Sequence, residues 1–167
     1  LVFKGGYGGL FGLNTPVSTP DEARKAVAAE AAKGVDLIKM WVDDEREMIP
    51  VKMPYDITKA AIDEAHKHKI KVWAHVYYLD DAKELTRQGV DGFAHIVRDK
   101  AVDKELMDLM KAKGTWQAAS TLSREIVYSM AVMPWINDPF FTRGVTPGTL
   151  TALRSPEREK AVMLGAI

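Results

Sequence analysis

GVDLIKMW at residues 34–41, KVWAHVYY at 71–78 and GVDGFAHIV at 89–97 decide the reading of this chain. Each is a short apolar run that starts just after a helix-like segment, and each carries one chemically useful side chain near its C-terminal end: Lys39, His75 and His95. Successive strand side chains point to opposite faces of a sheet. Val35, Leu37 and Lys39 therefore share one face, as do Lys71, Trp73 and His75, and then Asp91, Phe93 and His95. The other faces read Ile38 and Met40, then Val72, Ala74 and Val76, then Gly92, Ala94 and Ile96, which suits a surface covered by helices. The lysine and both histidines are expected on the opposite side, one layer above Leu37, Trp73 and Phe93.

The segments between these runs read as helices. Thr19-Pro20-Asp21-Glu22 combines a capping hydroxyl, a proline suited to the first turn and a glutamate that can close a capping box; the helix continues to a stop at Gly34. A helix is expected from about Tyr55 to Lys69, a short one started by Asp81 and Glu84 and ended by Gly89, and one over 101–113 closed by Gly114. A further strand is expected near 115–121, and a helix from Pro156 to Leu164. Strands separated by helices in this way imply parallel β/α units. The expected fold class is α/β, a partial (β/α)8 barrel with parallel strands alternating with helices, comprising about strands four to seven. Residues 1–18 read as a glycine-rich loop, 19–121 as the β/α core, and 122–167 as irregular and helical, within one domain.

Composition narrows the function. The 167 residues hold 23 basic and 23 acidic side chains, so the net charge is zero and the basic footprint that nucleic acid requires is missing. With no cysteine, disulfide scaffolds and thiolate metal sites are excluded. The opening LVFKGGYGGLFGL has only short apolar runs broken by glycine, so neither a signal peptide nor a spanning helix is read there, no membrane partner is expected, and the default address is cytoplasmic. GGYGG lacks the lysine and helix of a phosphate loop. His66 and His68 stand two apart on a helix and read as solvated; Asp43-Asp44-Glu45 reads as a hydrated loop.

GVDLIKMWVDD, DEAHKHKIKVWAH and DDAKELTRQGVDGFAH together resemble the middle of the amidohydrolase superfamily, especially its imidazolonepropionase and Xaa-Pro or Xaa-Arg dipeptidase branch. The resemblance covers about residues 19–121 and rests on the ordered trio of lysine, histidine and histidine on successive strands. It implies that Lys39 is the family's carboxylated, metal-bridging lysine and that His75 and His95 are metal ligands, with zinc the usual metal. It further implies hydrolysis of an amide or cyclic amide C–N bond in a dipeptide, an N-acyl amino acid or an imidazolone-like compound. Trp41, Tyr77 and Arg98, just past the strand ends, would line the substrate pocket. Tyr77 follows His75 by two residues, as a tyrosine that contacts the substrate carboxylate does in the dipeptidase-like members.

The chain departs from the family in two places. Its histidines are His66, His68, His75 and His95, so the strand-one His-x-His has no counterpart, and no strand-eight aspartate is found. The catalytic proton acceptor is therefore unknown, and the chain is expected to be an interior piece of an amidohydrolase. Two other readings stay open: a non-catalytic half-barrel that binds a ligand or pairs with another copy to cover its strand edges, and a metal-free open α/β sheet with a ligand at its strand C-termini.

Overall fold

The computed structural model describes residues 1–6, 14–44, 51–118 and 133–163. The chain divides into two compact units, 1–120 and 121–167.

In the first unit, six parallel strands form one open sheet in the order β2-β1-β3-β4-β5-β6. They are β1 (Val2–Phe3), β2 (Pro16–Val17), β3 (Leu37–Trp41), β4 (Lys71–His75), β5 (Gly92–Phe93) and β6 (Trp116–Gln117). Four helices alternate with them: α1 (Pro20–Ala32), α2 (Tyr55–Lys67), α3 (Leu79–Gln88) and α4 (Lys104–Lys113). This is the α/β alternation of a partial (β/α) barrel. The two strands β1 and β2 lie within the stretch read as loop. Strands of two residues carry too little alternation to be recognised. Of the strand expected near 115–121, residues 119–121 lie outside the described residues.

The helices start and stop where the local chemistry directs. Thr19 Oγ1 accepts from the Glu22 N–H at 3.2 Å while the Glu22 carboxylate accepts from the Ser18 N–H at 2.6 Å, a reciprocal cap displaced by one residue. Asp103 caps α4 through the Leu106 N–H at 3.0 Å. Gly89 and Gly114 end α3 and α4 with φ of 97° and 70°, a backbone region that glycine enters without steric cost. The start of α3 corrects the sequence reading. Its first N–H, Leu79, donates to Asp99 Oδ1 at 2.8 Å, from the segment after β5. Asp81 is instead committed elsewhere, accepting from the Tyr55 hydroxyl at 2.6 Å and from Lys52 at 3.0 Å.

Helix packing creates the core. Neighbours α1 and α2, α2 and α3, and α3 and α4 lie side by side. Their apolar residues Val27, Ile57, Ala61, Ile62, Ala82, Leu85 and Leu106 are buried with Ile38, Met40, Val72, Ala74 and Phe93 of the sheet. Removing this much apolar surface from water, at about 25 cal/mol per Å², is what makes one face of the sheet the inside.

The opposite face carries the chemistry. Register sets Lys39 beside Trp73 and Trp41 beside His75. The lysine thus stands two residues lower on the sheet than the first histidine. On β5 the expected orientation is overturned. Gly92 pairs with Trp73 and Phe93 with Ala74, so Gly92, not Phe93, shares the face of Trp73, while Phe93 is 1% exposed in the core. Trp116 explains the glycine: its ring packs edge-on against Trp73 with centroids 4.2 Å apart, and a Cβ on Gly92 would lie 2.7 Å from it.

In the second unit, α5 (Pro139–Arg143), α6 (Pro147–Leu153) and α7 (Pro156–Met163) follow each other closely. Asp138 and Thr146 cap the first two through the Phe140 and Thr149 N–H groups.

Candidate functional site

β3, β4 and β5 end side by side, and their last residues bring the two imidazoles together. The rings of His75 and His95 meet edge to face with centroids 4.2 Å apart, and Trp41 flanks His75 at 6.2 Å. Straight alternation would send His95 to the helix side along with Phe93. A bend at Ala94–His95 breaks the alternation and turns the ring back towards His75. The bend follows an N–H from Ala94 to the Ala74 carbonyl at 2.9 Å, the last rung of the β4–β5 ladder.

His75 is 6% exposed and Asp43 only 1%. Asp43 Oδ2 stands 3.4 Å from His75 Nε2. The hydrated acidic loop of the sequence reading is therefore corrected at its first residue. The signal was present: residues 39, 41 and 43 keep the two-residue spacing that carries Lys39 and Trp41 on one face. Val42 holds this segment down, its carbonyl accepting from the Met53 N–H at 2.9 Å.

Burial lowers the pKa of Lys39 to about 8, and the negative charge of Asp43 limits the fall. An amine in this state is neutral in a sizeable fraction of molecules just above neutrality. Beside β3 lies a hollow of ≈ 270 Å³ whose walls include Val35, Leu37, Lys39 and Trp41; neither His75 nor His95 belongs to its lining.

Past the strand ends, Tyr77 and Arg98 are joined. The Arg98 N–H donates to the Tyr77 carbonyl at 2.9 Å, and the guanidinium lies over the Tyr77 ring, 4.9 Å from its centroid. Tyr78 donates its hydroxyl to Asp44 at 2.6 Å, and Lys52 sits 3.8 Å over the Tyr78 ring. The segments following β3, β4 and β5 are thus tied to each other around the sheet mouth. His66 and His68 stand apart on α2. His66 Nε2 lies 2.8 Å from Asp91, and His68 Nε2 lies 3.2 Å from Glu64.

The residues expected at a metal centre thus separate into a joined pair of imidazoles and an amine two residues lower. Among the described residues, no three His, Asp or Glu side chains form a group able to hold a metal ion. Two imidazole nitrogens suit zinc by their chemistry, and a neutral amine has the lone pair that attacks carbon dioxide, so this donor set fits part of a zinc site.

No protein-family profile matches the chain. Uncharacterized proteins of Mycobacterium tuberculosis (strain ATCC 25618 / H37Rv) and Mycobacterium bovis are 34% identical to it over 84 residues, covering 47% of this chain and 23% of theirs. Solved structures share its fold, and three illustrate it. A Xaa-Pro dipeptidase with methionine bound in the active site superposes with a TM-score of 0.62 at 21% identity, covering 77% of this chain and 35% of its own. The ochratoxinase of A. niger does so at 0.57 and 21%, covering 90% and 33%. A putative prolidase from Bifidobacterium longum does so at 0.53 and 24%, covering 90% and 35%. The chain spans about a quarter of the mycobacterial relatives and about a third of each solved structure.

Proposed function

We propose that this chain is part of an amidohydrolase and serves the metal-dependent hydrolysis of an amide or cyclic amide C–N bond. The observation that carries the proposal is the contact between His75 and His95 at adjacent strand ends, on the face that also carries, two residues lower, an amine whose charge burial disfavours. The shared fold with a dipeptidase, a putative prolidase and an ochratoxinase points the same way.

In this reading His75 and His95 would each give one ring nitrogen to a divalent ion, zinc by preference. Lys39, as the neutral amine, adds carbon dioxide with loss of one proton and becomes an anionic oxygen donor. Bound zinc would supply Lewis-acid polarisation of the scissile carbonyl and acidify water. The Trp41 ring, 6.2 Å from His75, would shield that imidazole from bulk water on one side, which strengthens electrostatic interactions there. Arg98, its guanidinium over the Tyr77 ring, offers fork-shaped donors to a substrate carboxylate. The substrate class is a dipeptide, an N-acyl amino acid or an imidazolone-like ring.

The test is metal content followed by turnover. Protein produced with added zinc should retain on the order of one equivalent. His75→Ala with His95→Ala should lose it, and Lys39→Ala should abolish hydrolysis of a panel of Xaa-Pro dipeptides and N-acyl amino acids. Wild-type protein holding less than about a tenth of an equivalent would remove the reading.

One observation favours a second reading, a metal-free ligand site. The ≈ 270 Å³ hollow adjoins Lys39 and Trp41 but neither histidine. Binding of a small carboxylate that survives His75→Ala and is lost in Lys39→Ala would select it. In either reading the two edge strands, β2 and β6, are where a second copy would attach.

A further inference from the structure

Two cations and two phenol rings line up across the sheet mouth, and the outer cation, Lys52, has no task in the proposed chemistry. Lys52 Nζ sits 3.8 Å from the centre of the Tyr78 ring, the Tyr78 and Tyr77 rings meet edge to face at 4.9 Å, and the Arg98 guanidinium lies 4.9 Å from the centre of the Tyr77 ring. A cation thus closes each end of a pair of aromatic rings. The face of such a ring attracts positive charge, and an edge-to-face contact ties the tilt of one ring to that of the other.

The array is anchored at its Lys52 end. Lys52 donates to Asp81 Oδ2 at 3.0 Å, and Asp81, only 2% exposed, also accepts from the Tyr55 hydroxyl at 2.6 Å. A carboxylate buried this deeply holds its cation, because separating them leaves a charge unpaired away from water. The Tyr78 hydroxyl, donating to Asp44 at 2.6 Å, limits the swing of the ring beneath the ammonium. At the far end the Arg98 N–H donates to the Tyr77 carbonyl at 2.9 Å and the Leu79 N–H to Asp99 Oδ1 at 2.8 Å, so the backbones of 77–79 and 98–99 keep a fixed spacing. We infer that Lys52 is a positioning residue for Arg98: held by Asp81, it sets the tilt of Tyr78 and, through Tyr77, the direction of the guanidinium. The link itself stands on these contacts; its consequence for substrate binding rests on the reading of Arg98 as the partner of a substrate carboxylate.

Nuclear magnetic resonance tests the link in ligand-free protein. The methylene protons beside the Lys52 ammonium should be shifted upfield by the Tyr78 ring. The Arg98 Nε–H signal should move in Lys52→Met and return towards its wild-type position in Lys52→Arg, whose planar cation can serve both Asp81 and the ring. Circular dichroism identifies a variant that has not folded; Lys52→Gln, which keeps a donor for Asp81 but brings no charge to the ring, then takes the place of Lys52→Met. Binding is measured with N-acetylglycine and N-acetylglycinamide, which differ only in the carboxylate. Replacing Lys52 by a neutral side chain should lower the preference for the carboxylate by about 2–30-fold, and Lys52→Arg should restore most of it. Lys52 protons without the ring shift, an Arg98 signal unmoved in the neutral variants, or a carboxylate preference that survives in them would overturn the inference. A wild-type protein with no such preference, in which the Arg98 signal still follows Lys52, would instead remove the carboxylate role from the proposed function and leave Lys52 as the residue that orients Arg98.

Discussion

At the scale of single residues, Lys39 has the clearest consequence for solution behaviour. Its pKa, lowered by burial to about 8, lies below that of a lysine in the unfolded chain, near ~10.4. Between those values the unfolded chain binds more protons than the native one. Stability therefore rises as pH increases across that window, and the cost of the buried charge is fully present below it. Metal-free wild-type protein should show a higher urea midpoint at pH 9.5 than at pH 7, and Lys39→Met should flatten that difference. A slope equally steep in the variant would assign it to another group. The sides on which Lys39 and His75 lie were legible in the sequence, because β3 and β4 are five residues long and alternate cleanly. His95 was placed on the face of His75 through a wrong route: the alternation assigned to its segment is out of phase with the sheet, and a bend supplies the correct direction. Asp43 was missed because a run of three acids usually means hydration, and only its two-residue spacing from Trp41 argued otherwise.

At the scale of elements, Gly92 shows how closely β4, β5 and β6 fit. It is placed by contact, not by turn geometry, since the Trp116 ring occupies the space a side chain would take. Gly92→Ala should force that ring to move and cost ~1–3 kcal/mol, as overpacking does. Chemical denaturation measures the cost, and the near-ultraviolet circular dichroism of the Trp73–Trp116 pair reports the displacement. An unchanged spectrum and midpoint would mean that the ring has room. Helix ends were the most readable elements, since Thr19, Gly89 and Gly114 act through local backbone chemistry. The start of α3 was not readable, because its first N–H is satisfied by Asp99, twenty residues away. Tertiary structure overrode the local signal of Asp81.

For the whole molecule, the alternation of strands and helices was visible from the sequence, and the parallel sheet follows it. What joins α2, β4 and β5 at the opposite end of the sheet from the histidines is Asp91. Burial works against its charge, but Lys71 at 2.6 Å, His66 at 2.8 Å and the Val72 N–H at 2.8 Å hold its carboxyl below the usual range. A depressed carboxyl contributes stability that is present above the ordinary aspartate value and lost as pH falls through its own lower one. Acid unfolding followed by circular dichroism should begin at higher pH in Asp91→Ala than in wild type, with ~1–2 kcal/mol lost at neutral pH. Equal acid midpoints would show that the solvent-facing partners screen the interaction away. Zero net charge at pH 7 places the solubility minimum of this chain near neutrality. Among the described residues no helix is long and apolar enough to cross a membrane.

The kink after Phe93 makes one short strand answer to two masters. Phe93 is an anchor under the helices, and two positions later the chain has swivelled to put an imidazole on the far side. Any drift that refills the interior around that phenyl ring, even one harmless to folding, will be transmitted through a single pivot to the ring at the rim. Residues 92–95 are therefore coupled, and a variant repacked around Phe93 for thermal endurance should also displace the His95 ring from His75.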